Sequence, residues 1–160
     1  MSKPSFVYVT YIETTAEKLW RALTDSDVIR RYWAGLTPPA RAYENVSDWE
    51  PGSRWEQRRI DDAKTVGLVG EVLESTPPRR LVLTWARPEN EKNADLHSRV
   101  TFEIDVLGDR LVKLTVLHEE LDPEMQRGIV VGWPQVLSNL KTLLETGHSL
   151  ATPELEQSRH

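Results

Sequence analysis

The chain has 160 residues, the length of one domain, and a chain of this size buries roughly 70% of the surface its unfolded form exposes. Its net charge of −5 and pI near 5.4 run against nucleic-acid binding, which needs a basic face. It has no cysteine, so disulfides, thiolate metal ligands and cysteine nucleophiles are excluded, and no apolar run approaches the ~20 residues of a membrane-spanning helix.

The first residues, MSKPSFVYV, show neither the apolar core nor the cleavage site of a secretory leader. The cytoplasm is therefore the expected location, with no membrane insertion. Residues 5–13, SFVYVTYIE, are β-branched and aromatic and read as a strand. Thr14 and Glu17 have the spacing of a capping box for a short helix carrying Leu19, Trp20 and Leu23. Asp25 or Ser26 caps a second short helix with Val28, Ile29, Tyr32 and Trp33 on one side. Gly35 is expected to stop it, and Pro38-Pro39 to enforce extended chain.

From about Ala40 the apolar period changes to two. Residues 40–46, 53–60, 66–75 and 80–87 read as strands, with a turn at Trp49-Glu50-Pro51-Gly52 and Pro77-Pro78 before the fourth. In HSRVTFEIDV, Val100, Phe102, Ile104 and Val106 alternate with polar residues. Gly108-Asp109 marks a tight hairpin. Val112, Leu114, Val116 and His118 then share the next strand's inner face. Six or seven meandering strands predict an antiparallel sheet with one covered face.

Its cover is the last periodic segment. Asp122-Pro123-Glu124 is a helix start, Gly147 a helix stop, and Val130, Trp133, Leu137, Leu140 and Leu144 form one apolar stripe. Trp133-Pro134 is the anomaly, because proline removes an amide donor and crowds the carbonyl four residues back. An interior kink is expected there. One domain, residues 1–147, is expected, followed by a mobile tail, residues 148–160.

This order of elements resembles the helix-grip fold of the START and SRPBCC superfamily. That fold is α+β, an antiparallel sheet wrapped around a long C-terminal helix, with two short helices after the first strand. Four motifs narrow the resemblance to the family of activator of heat-shock-protein-90 ATPase homologues. They are Leu19-Trp20-Arg21-Ala22-Leu23-Thr24-Asp25; Pro51-Gly52-Ser53-Arg54-Trp55; Gly70-Glu71-Val72-Leu73-Glu74 followed by Pro77-Pro78-Arg79-Arg80-Leu81 and Thr84-Trp85; and Gly132-Trp133 ahead of Leu137, Leu140 and Leu144. Ser53 and Pro134 depart from the pattern. The resemblance implies a ligand cavity between sheet and helix, a void beneath Trp133 over which the kinked helix arches, or a contact with a chaperone. It also admits an enzyme of the superfamily's cyclase or hydrolase kind.

The candidate ligand-binding residues are Trp33, Trp55, Arg59, Glu71, Trp85, Phe102, His118, Trp133 and Leu137. The sequence has six Trp against two Phe, and the flat, amphipathic indole suits a pocket wall as well as a core. His118, facing inward, serves as a polar anchor or proton-transfer group, or else as a strand-end histidine bonded to its surroundings. Arg59 and Glu71, if inward, bind a carboxylate or each other; otherwise they belong to a solvated face. No converging metal ligands, nucleophile elbow or phosphate loop is present. No cofactor is therefore expected. The expected partner is a small hydrophobic ligand, lipid or polyketide-like.

Overall fold

Residues 3–34, 36, 42–60 and 65–150 are described in the structure, a computed structural model. In chain order they form β1 (Phe6–Ile12), α1 (Ala16–Thr24), α2 (Ser26–Tyr32), β2 (Tyr43–Ser47), β3 (Arg54–Arg59), β4 (Val66–Thr76), β5 (Arg80–Trp85), β6 (Ser98–Gly108), β7 (Leu111–Glu119) and α3 (Pro123–Thr146). Two short 3₁₀ turns, Pro88–Asn90 and Ala94–Leu96, lie between β5 and β6. The seven strands make one antiparallel sheet in the order β1-β7-β6-β5-β4-β3-β2. The sheet curls around α3, so the fold is the α+β helix-grip arrangement, with two short helices after the first strand. No helix among the described residues is long and apolar enough to cross a membrane.

Strict alternation makes β6 and β7 the centre of the core. Val100, Phe102 and Ile104 pair across with His118, Val116 and Leu114, and all six are buried. Val106 breaks the expectation. It is 64% exposed, because the register slips between Val106 and Gly108 and the end of β6 runs beyond the core. At the start of α1 the cap is Thr15, not Thr14: Lys18 N–H donates to Thr15 Oγ1 at 3.2 Å. The expected box is one residue out of step, and Thr14 is buried instead, its hydroxyl without a hydrogen-bond partner. Asp25 caps α2, taking the Asp27 N–H at 2.9 Å. β5 stops at Trp85, two residues short of expectation, and Ala86 makes an isolated bridge to Val69. The expected helix stop at Gly35, the Pro38-Pro39 segment and the strand start at Ala40 lie outside the described residues.

Helix α3 begins and ends as its sequence dictates. Asp122 Oδ1 accepts the Met125 N–H at 2.7 Å, Pro123 occupies the first turn, and Gly147 closes the helix with φ +89°. Its packing is lopsided. Trp133, Val136, Leu137, Asn139, Leu140 and Leu143 are buried, whereas nothing from residue 123 to 132 is. Val130 is 46% exposed, and the inward position one turn before Trp133 belongs to Ile129, which packs against the core. Leu144 is half-buried beside Leu143. The chain then turns back: Leu150 N–H donates to the buried Asn139 Oδ1 at 2.6 Å. Residues 151–160 of the expected mobile tail lie outside the described residues.

Pro134 sits inside the continuous helix. It cannot donate to the Val130 carbonyl, and its ring crowds that oxygen. Pro134→Ala should therefore stabilise the protein by about 1–2 kcal/mol, the restored bond and relieved crowding exceeding the ~0.4–1 kcal/mol of extra unfolded-chain entropy. Thermal melts check this, and a lowered midpoint would refute it.

Candidate functional site

Six rings from six elements meet where the sheet faces the middle of α3. Trp33 comes from the C-terminal cap of α2, Trp55 from β3, Trp85 from β5, Phe102 from β6, His118 from β7 and Trp133 from α3. Trp85 is central, with centroid separations of 5.2 Å to Trp55, 5.2 Å to His118, 5.6 Å to Trp133 and 6.3 Å to Trp33. Trp133 meets Trp33 and Phe102 edge to face at 5.4 and 5.9 Å, the geometry that aligns ring edges with π faces. Leu137 is buried one turn further along α3. Seven of the nine candidate residues thus converge. They fill the space instead of enclosing it: Trp133 is 3% exposed and surrounded by rings, so the expected void beneath it is occupied by Trp85 and Phe102.

His118 ties this cluster together. It faces inward as expected and is fully buried. Trp133 Nε1–H donates to its Nδ1 at 3.1 Å, and its Nε2 lies 2.8 Å from Ser98 Oγ, which donates to the Trp85 carbonyl at 3.1 Å. An indole only donates, so Nδ1 must accept and Nε2 must carry the proton. Both ring nitrogens are therefore engaged, and neither faces a ligand. Burial lowers the His118 pKa from 6.5 to about 3, so the imidazole is neutral. The unfolded chain takes up a proton below pH 6.5 that the folded protein refuses. Stability should therefore fall as pH drops from 6.5 towards 3, by up to about 1.4 kcal/mol per unit. Between pH 6.5 and 5, above the usual carboxylate range, this slope should be present in the native chain and absent in His118→Gln, as read by urea unfolding at each pH.

Arg59 and Glu71 do not join the cluster or each other. Arg59 ends β3 opposite Tyr43, and its N–H goes to the Thr65 carbonyl at 3.0 Å. Glu71 pairs in register with Arg54 at the other end of β3. With Gly70 and Val72 buried on either side, Glu71 points to the outer face. There it lines a concavity with Arg54 and His97. His97 Nδ1 lies 3.0 Å from Thr84 Oγ1, and its Nε2 lies 3.1 and 3.0 Å from the Asn90 and Glu91 carbonyls. Arg54 grips Glu91 through Nε and Nη2 at 2.5 and 3.2 Å, and that hydrogen bonding lowers the Glu91 pKa. These contacts hold the 3₁₀ segment against the sheet.

Trp55 reaches across β4. Its Nε1–H donates to the Thr84 carbonyl on β5 at 2.7 Å, passing over Gly70, its own register partner. Only a residue without Cβ leaves room, since a Cβ at position 70 would stand 2.0 Å from that oxygen.

The opening between sheet and helix lies beside the cluster, under the loosely packed start of α3. It is a cleft of about 390 Å³ with Leu68, Trp85, Met125 and Ile129 as apolar walls, and Gly67 and Gly128 also line it. Arg87, Glu89 and Glu124 stand at its rim, Arg87 Nη2 being 3.4 Å from Glu124 Oε1. Of the candidate residues only Trp85 belongs to it. Met125 and Ile129 were missed because the expected stripe put Val130 inward, and Leu68 because β4 carries apolar residues on both faces.

Comparison with known proteins agrees with this architecture. The chain matches the family described as Activator of Hsp90 ATPase homolog 1-like protein over residues 13–145. No curated protein matches it. Among solved structures it is similar to protein MLL2253 from Mesorhizobium loti, with 27% identity over 88% of this chain and 96% of that one and a TM-score of 0.66. PFC0360w, an HSP90 activator from Plasmodium falciparum, has 21% identity over 88% and 95% of the two chains and a TM-score of 0.66. The Aha1 dimer from Colwellia psychrerythraea has 17% identity over 90% and 98%, with a TM-score of 0.68. The family match runs from the end of β1 to the last turn of α3 and so spans most of the chain, which therefore belongs to the family of Activator of Hsp90 ATPase homolog 1-like proteins.

Proposed function

We propose that this protein binds a small, largely apolar or aromatic molecule, lipid- or polyketide-like, between the sheet and α3. The observation that carries the reading is the cleft of about 390 Å³ walled by Leu68, Trp85, Met125 and Ile129. Its size and apolar walls suit a small ligand, and Met125 is a side chain that adapts to irregular shapes. The helix above it contributes no buried side chain before Trp133, so its first three turns can yield at little cost in packing.

Native mass spectrometry of protein purified from its host should show a retained small molecule. Titration with a panel of lipids and aromatic polyketides should shift the amide signals of Leu68, Trp85 and Ile129. Gly128→Leu should abolish those shifts. A Cβ there meets nothing within 4 Å, so the new side chain enters the cleft without a backbone clash. Shifts confined to the outer face of the sheet would overturn the reading.

A second reading, contact with a chaperone, draws on the ring cluster that fills the interior behind the cleft. A solid core suits an interaction module, and one structural neighbour is an HSP90 activator. Titration with Hsp90 discriminates, because a protein partner shifts broad surface patches and leaves the cleft amides unmoved. An enzymatic reading needed His118 beside a carboxylate such as Glu71. The two lie on opposite faces of the sheet, and both nitrogens of His118 are engaged.

A further inference from the structure

The rim of the cleft carries uneven charge. Its ionic side chains are Arg87, just beyond β5, Glu89 from the first 3₁₀ turn, and Glu124 from the first turn of α3. Arg87 and Glu124 make one contact at 3.4 Å, the arginine half-buried and the glutamate well exposed, an arrangement that holds weakly. Glu89 makes no ion pair among the described residues. One carboxylate is therefore in excess. The start of α3 does little to offset it, because Pro123 has no amide hydrogen and Asp122 caps the first turn. Asp122 accepts the Met125 N–H on its side chain at 2.7 Å and the Gln126 N–H on its carbonyl at 2.9 Å, and brings a further negative charge to that end.

From this juxtaposition we infer that the cleft selects amphipathic amines, an apolar or aromatic body lying against Trp85 and Ile129 with its protonated nitrogen between Glu89 and Glu124. The inference rests on the cleft being a binding site. The ammonium takes the place of the Arg87 guanidinium at Glu124, and the half-buried Arg87 turns to solvent. A carboxylate in the same position gains Arg87 but faces both glutamates. The net charge of −5 adds a long-range bias of the same sign, favouring the approach of cations.

Three probes of one shape separate the two claims: naphthylmethylamine, naphthalenemethanol and naphthoate, each titrated by calorimetry near neutral pH and low salt, with amide shifts locating the site. The amine should bind about tenfold more tightly than the alcohol, and the acid more weakly than the alcohol. In Glu89→Gln/Glu124→Gln the ratio of amine to alcohol affinity should fall towards one, and added salt should shrink it in the native chain. An acid that binds as well as the amine, or a ratio unchanged in the double variant, overturns the inference and leaves the cleft reading intact. If none of the three probes shifts the cleft amides, both claims fall together.

Discussion

Trp133→Ala is expected to destabilise the protein by about 3–5 kcal/mol, the range for removing a large buried ring from a core that cannot collapse around the gap. Four rings surround the indole at centroid distances of 5.4 to 6.2 Å, contributed by α2, β5, β6 and β7. Elements on several sides of the gap cannot all move in to fill it. The substitution also strips the buried His118 Nδ1 of its donor, and an unsatisfied buried acceptor costs about 1–3 kcal/mol. Trp133→Phe separates the two contributions. It keeps most of the ring contact and loses the hydrogen bond, so its loss should be close to the second figure alone. Urea midpoints with an unchanged m-value are the measurement. A loss of only 1–2 kcal/mol for Trp133→Ala would mean that the rings lie against hydrated space, as lining of a larger cavity.

What was legible in the sequence follows from where one periodicity acts alone. In β6 apolar and polar residues alternate cleanly from Val100 to Ile104, so the inward face of Phe102 could be read directly. In β7 Leu111 and Leu117 fall on the outer face, and the inward face of His118 followed from the parity of Val112, Leu114 and Val116. β4, Val66–Thr76, carries apolar residues on both faces, with Val69 and Val72 buried and Leu73 exposed. Its parity is thus undecidable without its neighbours, so the side on which Glu71 lies stayed open until packing put it on the outer face. The stripe on α3 was read correctly from Trp133 onward. Before it, positions three and four residues back both carry β-branched residues, and only packing chooses Ile129 over Val130. The ring cluster was legible as a composition but not as a solid. Whether Trp55, Trp85 and Trp133 enclose a space or touch depends on three strand registers and one helix position at once, none of which is a local property of the chain. The cleft was illegible for the same reason, since it is defined by side chains that α3 fails to bury.

Gly70→Ala should cost more than about 3 kcal/mol, a larger loss than most overpacking changes, because the obstruction is backbone and cannot swing aside. A Cβ at this position would lie 2.0 Å from the Thr84 carbonyl oxygen, 2.7 Å from its carbon and 2.4 Å from Trp55 Nε1. Two strands and one indole would have to part together. They are joined here by side chains in place of ordinary ladder bonds: Trp55 Nε1–H to the Thr84 carbonyl at 2.7 Å, and Glu71 N–H to Thr84 Oγ1 at 2.9 Å. Separating β4 from β5 breaks both and lifts Trp55 away from Trp85, its neighbour at 5.2 Å. Trp55→Phe is the control. It removes the indole donor without adding an atom at position 70, so it should lose only the ~1–3 kcal/mol of an orphaned buried carbonyl. In the double variant Trp55→Phe/Gly70→Ala the indole contact is relieved, but the 2.0 Å contact with the Thr84 oxygen persists. Its loss should therefore exceed that of Trp55→Phe by about 2 kcal/mol or more. Equal stability of the double variant and Trp55→Phe would show that the indole alone, not the close approach of the two strands, demands glycine at position 70.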